Sequence, residues 1–290
     1  MREFTEDTLT DAVVRSFEAC GDPRLKEVLT SLVRHIHDFV REVEPSEAEW
    51  MAAIRFLTRT GHTCDERRQE FILLSDALGV SMLVDAVNHR APEGATESTV
   101  QGPFYVERAP ELERGADISG GVPGEPLFIE ATVRSAEGKP IAGATVDVWQ
   151  SDDEGHYDLQ RPDLGEFHLR GRFRADEMGR VWLWSIVPRF YPIPDDGPVG
   201  ELLRASGRHP FRPAHVHFLI EAPGHERLVT HVFVEGDPYL DSDAVFAVKR
   251  SLVRKLETRA SGTEPDGKPI GRAHAHLAYD FTLRPVSGVG

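Results

Sequence analysis

The hydrophobic period of this chain changes once along its length, and that change restricts it to a fold in which helices precede strands. Leu25, Val28, Leu29, Leu32, Val33, Ile36, Phe39, Val40 and Val43 recur at the spacing of one helical face. Asp22 before Pro23 opens that helix. Ser46 with Glu49 makes a capping box for a second helix, predicted to close at Gly61, and Asp65 is predicted to cap a third that runs through Phe71, Leu74 and Leu78 to Gly79. From Leu127 the period is two, in Leu127 to Val133, Ala144 to Trp149, Val181 to Ile186, Ala214 to Ile220 and Leu228 to Val234. Gly138-Lys139-Pro140, Gly179 and Pro223-Gly224 supply the turns. Short, closely spaced strands without long helices between them argue for an antiparallel sandwich. Val245 to Arg259 returns to a helical period and is predicted to form a helix beside the sandwich. The expected architecture is α+β, with a helical domain over residues 1–100 followed by a β-sandwich over 101–290.

A net charge of -15 opposes binding to DNA, RNA or an anionic membrane surface, because all three are polyanions. Cys20 and Cys64 stand far apart, which suits two reduced thiols better than a disulfide framework or a thiolate metal cluster. The start, Met1 to Asp7, lacks a basic segment followed by an apolar stretch, and no apolar run approaches the ~20 residues needed to span a bilayer. These features place the expected protein in the cytoplasm.

The sharpest local signal is Arg212-Pro213-Ala214-His215-Val216-His217-Phe218. On a strand, residues two apart face the same side, so both imidazoles can reach one ion. Two other pairs share the spacing. His35 and His37 fall within the strongest helical pattern, where residues two apart diverge. His274 and His276 follow a loop near the carboxyl end and remain a rival pair. Tyr157 ends Asp152-Asp153-Glu154-Gly155-His156-Tyr157, directly after a predicted strand. Tyr191 lies in Pro188-Arg189-Phe190-Tyr191-Pro192-Ile193-Pro194, whose prolines restrict the backbone. Taken singly, each tyrosine also suits an ordinary strand end.

Four separated motifs give the chain a resemblance to the intradiol ring-cleavage dioxygenases: Gly143 to Gln150, the Asp-x-x-Gly-x-Tyr that follows, Ser185-Ile186-Val187-Pro188, and Arg212 to Phe218. The resemblance implies a homodimer formed through the helical domain, with lipid possible at that interface, and a catalytic sandwich that binds iron(III). It places the iron ligands on Tyr157, Tyr191, His215 and His217, with Tyr157 and His215 equatorial. Tyr191 is then the ligand that leaves when the diol chelates. A hard trivalent ion suits two phenolates, and it would draw the proton from a tyrosine whose ordinary pKa is about 10. Arg212 matches the arginine that faces the substrate ring and stabilises developing charge.

The stretches Gln69 to Asp76, Tyr191 to Pro198 and Asp237 to Phe246 resemble hydroxyquinol dioxygenases within that family. The implied substrates are O2 and an aromatic diol or triol, with hydroxyquinol (benzene-1,2,4-triol) giving hydroxymuconate and then maleylacetate. Asp76, on the same helical face as Leu73, is the candidate partner of the third hydroxyl. Leu73, Val100, Gln101, Gly102, Pro103, Phe104 and Val245 would line the rest of the pocket. His231 stands where catechol enzymes usually carry glutamine, which argues against simple catechol. Three other readings stay open: a catechol or chlorocatechol dioxygenase, a transthyretin-like binding module without redox chemistry, and a zinc hydrolase. The last would want a third histidine or a carboxylate.

Overall fold

The computed structural model describes residues 4–66, 68–90, 94–164 and 167–286, so the expectation drawn from Met1 to Asp7 falls partly on Met1-Arg2-Glu3, which lie outside the described residues. Two compact units are present, Met1–Arg59 and Thr60–Gly290. The first holds α1 (Glu6–Arg15), α2 (Pro23–Val43) and most of α3 (Glu47–Thr63), whose last residues are counted in the second. The Asp22 carboxylate accepts from the amides of Arg24 and Leu25 at 2.9 and 3.1 Å, satisfying two donors at the start of α2. Ser46 and Glu49 form the expected capping box, with Ser46 N donating to Glu49 Oε2 at 2.8 Å. Gly61 does not close α3. It lies inside the helix, which runs on to Thr63. His35 and His37 diverge as expected: His37 Nδ1 bonds Thr10 Oγ1 at 2.9 Å, whereas His35 Nδ1 contacts Ser31 O in its own helix. The apolar face of α2 is left open, with Leu25, Leu32, Ile36 and Phe39 each about half exposed.

The larger unit begins with α4 (Glu70–Ala77) and α5 (Val80–Asn88). Asp65 caps only the turn that precedes α4, through Arg68 N at 2.7 Å. The helix starts five residues later because fully buried Glu70 is tied to Arg68 Nε at 2.9 Å and to Val199 N at 3.1 Å. Val199 belongs to α6 (Pro198–Ala205), a helix that the proline-rich stretch conceals from pattern reading. The strands in chain order are β1 (Pro126–Ser135), β2 (Thr145–Gln150), β3 (Arg170–Arg174), β4 (Arg180–Ile186), β5 (Tyr191–Pro192), β6 (Phe211–Arg212), β7 (His215–Glu221), β8 (Leu228–Val234), β9 (Val253–Arg254), β10 (Glu257–Arg259), β11 (Gly262–Thr263), β12 (Pro269–Ile270) and β13 (His274–Leu283).

One sheet has the order β10-β13-β1-β4 and another the order β3-β2-β7-β8-β9. Most pairings are antiparallel, but β1 with β13 and β8 with β9 are parallel, so the sandwich is mixed. Val146, Val148, Val181, Leu183, Phe218, Ile220 and Phe281 are almost wholly buried and form its core. Gln150 links the ends of β2 and β4: its Nε2 donates to Ile186 O at 2.7 Å and its Oε1 accepts from Ser185 Oγ at 2.9 Å.

The helix predicted over Val245 to Arg259 is absent. Val245, Ala247 and Leu252 are all buried while Phe246 is more than half exposed and holds a left-handed φ of 59°. The helical spacing of these residues reflects separate anchor points of an irregular segment, which ends in a 3-10 turn and the short β9 and β10. Among the described residues, no helix is long and apolar enough to cross a membrane.

Candidate metal centre and substrate pocket

Sheet register gathers the histidines. On β7, His215 and His217 point to one side, and the β7–β8 ladder sets His217 opposite His231. The same residue faces Trp149 across β2, and their rings stack with centroids 4.5 Å apart. His215 is oriented by Nδ1, which lies 2.7 Å from Pro213 O and leaves Nε2 for the centre. His215 Nε2 and His217 Nε2 are 3.1 Å apart.

The tyrosines arrive from loops whose shape the sequence dictates. Asp152 Oδ1 accepts from the amides of Glu154 and His156 at 2.9 and 2.8 Å, which folds the chain into a tight turn after β2. Gly155 completes that turn with φ +89°, and a Cβ there would meet Phe190 O at 2.9 Å and Tyr191 Cβ at 3.0 Å. Glycine is therefore required twice over, by conformation and by the approach of the Tyr191 segment. Tyr191 itself pairs with Arg212 in the two-residue β5–β6 ladder.

Tyr157 Oη lies 3.0 Å from His217 Nε2, 3.4 Å from His215 Nε2 and 3.3 Å from Tyr191 Oη. All four side chains are at least 97% buried. Four lone-pair donors gathered around Tyr157 Oη, with two phenols among them, suit a hard cation of high charge. Burial first, and the neighbouring Tyr191 second, push the Tyr157 pKa well above its ordinary value. Burial likewise holds His215, His217 and His231 well below theirs, so the imidazoles are neutral and able to ligate.

Arg212 joins this group at 2% exposure. Its Nη1 donates to Tyr191 Oη at 3.3 Å and its Nε to Asp243 Oδ1 at 3.2 Å. Burial opposes the charge, but Asp243 and the two tyrosine hydroxyls outweigh it and raise the pKa above the ordinary guanidinium value. Phe104 stacks on Tyr157, with centroids 4.3 Å apart, and its carbonyl accepts from Arg170 Nη2 at 3.0 Å. Arg170 in turn makes a bidentate buried ion pair with Asp158, the residue after Tyr157.

The remaining expected pocket residues fall into two groups. Leu73, Asp76 and Val245 are buried, and Asp76 feels the charges of Arg212 and Asp243. Burial is the main cause of its raised pKa, so it is not a solvated helix aspartate. Gly102 approaches the centre closely, since a Cβ there would sit 3.4 Å from His217 Cε1. Val100 is partly buried, Gln101 Oε1 is drawn to Arg227 Nη2 at 3.3 Å, and Pro103 is exposed. His231 is fully buried, bonds Thr99 Oγ1 through Nδ1 and has no partner at Nε2.

Among the described residues, the one cluster of three or more histidine, cysteine or acidic ligands is His215, His217 and His231, whose ligand atoms lie within 4.8 Å of one another. The rival pair makes no such cluster: His276 pairs with Glu130 at 3.3 Å and His274 Nδ1 contacts Arg272 O. The third histidine that a zinc site would want is thus present, beside two phenols that such a site would not need.

Residues 100–285 match the family described as Dioxygenase, and residues 22–96 match the Catechol dioxygenase N terminus. The chain belongs to this dioxygenase family. Membership implies a non-haem iron, which the four buried donors fit, and it sets aside the reading as a binding module without redox chemistry. The dioxygenase is 52% identical to a 6-chlorohydroxyquinol 1,2-dioxygenase of Cupriavidus pinatubonensis, over 99% of this chain and 100% of that protein. Its structure is similar to that of a hydroxyquinol 1,2-dioxygenase from Pseudomonas putida, with a TM-score of 0.93, 50% identity and coverage of 97% and 98%. A catechol 1,2-dioxygenase from Pseudomonas arvilla is more distant, with a TM-score of 0.81 at 32% identity over 98% and 94%.

Sequence reasoning missed Asp243, Thr99 and the Asp158–Arg170 pair. None belongs to a spaced motif of ligand types. Their partners are 31, 132 and 12 residues away, distances over which no pattern carries a signal.

Proposed function

We propose that this dioxygenase opens the ring of hydroxyquinol between its adjacent hydroxyls, with both atoms of O2 entering the product, hydroxymuconate, which tautomerises to maleylacetate. The carrying observation is the convergence of Tyr157 Oη, Tyr191 Oη, His215 Nε2 and His217 Nε2 in a buried site. These four residues would hold iron(III), which, when bound, would accept the diol as a chelating dianion and lend the ring the electron-rich character that favours attack by O2.

The protein's own groups do the rest. Tyr191 Oη, already hydrogen-bonded to Arg212, is the site that takes up a proton from the entering diol. The fixed charge of Arg212 then faces the ring and stabilises negative charge as it builds, with no reorganisation of solvent. Phe104 covers Tyr157, and Gly102 lets the backbone close over His217, which keeps water from the reacting atoms. Asp76 meets the third hydroxyl, which favours the triol over catechol. His231 Nε2 supplies a further polar contact for the bound ring.

The open apolar face of α2 supports assembly as a homodimer, with a second copy or a lipid chain covering it. Cys20 and Cys64 are both free, in keeping with a reducing cytoplasm.

The test is the visible absorption spectrum of the purified protein under anaerobic conditions. A wine-red tyrosinate-to-iron(III) band that shifts more on adding hydroxyquinol than catechol is expected. A protein that remains colourless after iron loading would overturn the reading, and turnover of catechol above that of the triol would move the substrate to the catechol class.

A further inference from the structure

We infer that Asp243 is the positioning residue that aims Arg212 at Tyr191, an inference that rests on the iron-centre reading proposed above. The Asp243 carboxylate is 4% exposed and receives three donors: Arg212 Nε at 3.2 Å, Val245 N at 3.3 Å and Ala247 N at 3.0 Å. Two of these close the loop that carries the buried Val245, and the third fixes the guanidinium. The loop is braced again from Arg208, whose Nη1 donates to Ala77 O at 2.5 Å and whose Nη2 donates to Ala244 O at 2.9 Å. Ala77 follows Asp76, so α4 and the loop are held in one register.

Arg212 has five N–H donors in a rigid fork. With Nε on Asp243, Nη1 donates to Tyr191 Oη at 3.3 Å, and Nη2 is left buried and without a partner. A buried, unpaired charged donor is costly, so a polar group of a substrate brought to this centre would find a donor already waiting for it. Asp243 also supplies the counter-charge without which a 2%-exposed guanidinium would be strongly destabilised. The carboxylate touches neither tyrosine nor histidine of the centre. It acts through Arg212, setting both the hydrogen bond on Tyr191 and the direction of the free Nη2.

The hydrogen bond from Arg212 withdraws charge from the Tyr191 oxygen, which raises the energy needed to move an electron from that oxygen to iron. Asp243→Asn removes the counter-charge and one of the two acceptor oxygens that Arg212 Nε, Val245 N and Ala247 N share, which loosens the hold on the guanidinium. The expected result in the iron-loaded protein is unchanged iron content, a tyrosinate band shifted to longer wavelength, and kcat lowered about 100-fold with KM changed little. Because Asp243 works through one partner, the Arg212→Gln/Asp243→Asn double variant should lose no more than Arg212→Gln alone. Losses that multiply, or Asp243→Asn with the wild-type band and kcat, would overturn the inference.

Should Asp243→Asn fold poorly, Arg212→Lys probes the same link, since an ammonium on a flexible stem lacks the planar fork that spans Asp243 and Tyr191. It should reproduce the band shift, and a wild-type band would again count against the link. A wild-type protein with no band at all defeats the iron-centre reading instead, so the two failures are distinguishable.

Discussion

Tyr157 Oη lies 3.0 Å from His217 Nε2 although 60 residues separate them, and this contact joins the loop after β2 to the middle of β7. It brings a phenol and a neutral imidazole, each buried and unable to reach water, to one point. Tyr157→Phe removes a single atom from that point and leaves the packing against Phe104. Iron content should fall at least about tenfold, with loss of the visible band and little change in the thermal midpoint. Metal analysis beside a melting curve checks both halves of the expectation.

Asp76 trades stability for selectivity. Burial raises its pKa in the folded state. A group with a raised folded pKa contributes its full share of stability below the unfolded carboxyl pKa and loses it as pH rises through the folded value. Asp76→Asn should therefore be more stable than wild type at neutral pH, with the gap closing toward acid. The same variant should keep its iron and lose about tenfold of its preference for hydroxyquinol over catechol, as for one hydrogen bond of roughly 1.4 kcal/mol. Denaturant titrations at pH 4 and 7, with relative turnover of the two substrates, measure this. An unaltered substrate ratio would remove Asp76 from the specificity determinants.

Asp158→Ala leaves the Arg170 guanidinium, 2% exposed, with the Phe104 carbonyl as its remaining hydrogen-bond partner. Breaking a buried pair from one side costs about 3–5 kcal/mol, and the Phe104 ring loses its anchor over Tyr157. Urea unfolding should show the loss in midpoint, and iron should dissociate faster from the folded variant.

The apolar face of α2 is tested by one charge. Ile36 is about half exposed at the centre of the stripe formed by Leu25, Leu32 and Phe39. Ile36→Glu should convert a dimer to monomers in light scattering while the tyrosinate band persists. A wild-type protein that is already monomeric would remove the proposed dimer.

Much of this protein is local chemistry and therefore legible along the chain. The capping of α2 by Asp22, the box of Ser46 and Glu49, and the Asp152–Gly155 turn all act within four residues, so spacing alone determined them. The alternation in β7 likewise put His215 and His217 on one side before any fold was known. Local pattern failed where partners were remote. Val245, Ala247 and Leu252 recur like a helix, yet each is pinned to a different part of the core, and the Asp243 carboxylate and the left-handed Phe246 turn the chain away from a helical course.

Spacing alone could not decide which of three His-x-His pairs lies beside two tyrosines, because it fixes direction on a strand and says nothing of what faces it; the family resemblance named His215 and His217, and the tertiary structure brought them against Tyr157. The β7–β8 register brought His231 beside them, and the β5–β6 pairing set Arg212 against Tyr191. The residue types and their local orientation came from the sequence. Their convergence came from the packing of a mixed sandwich, where contacts between residues 20 to 130 apart are set by burial of the whole core.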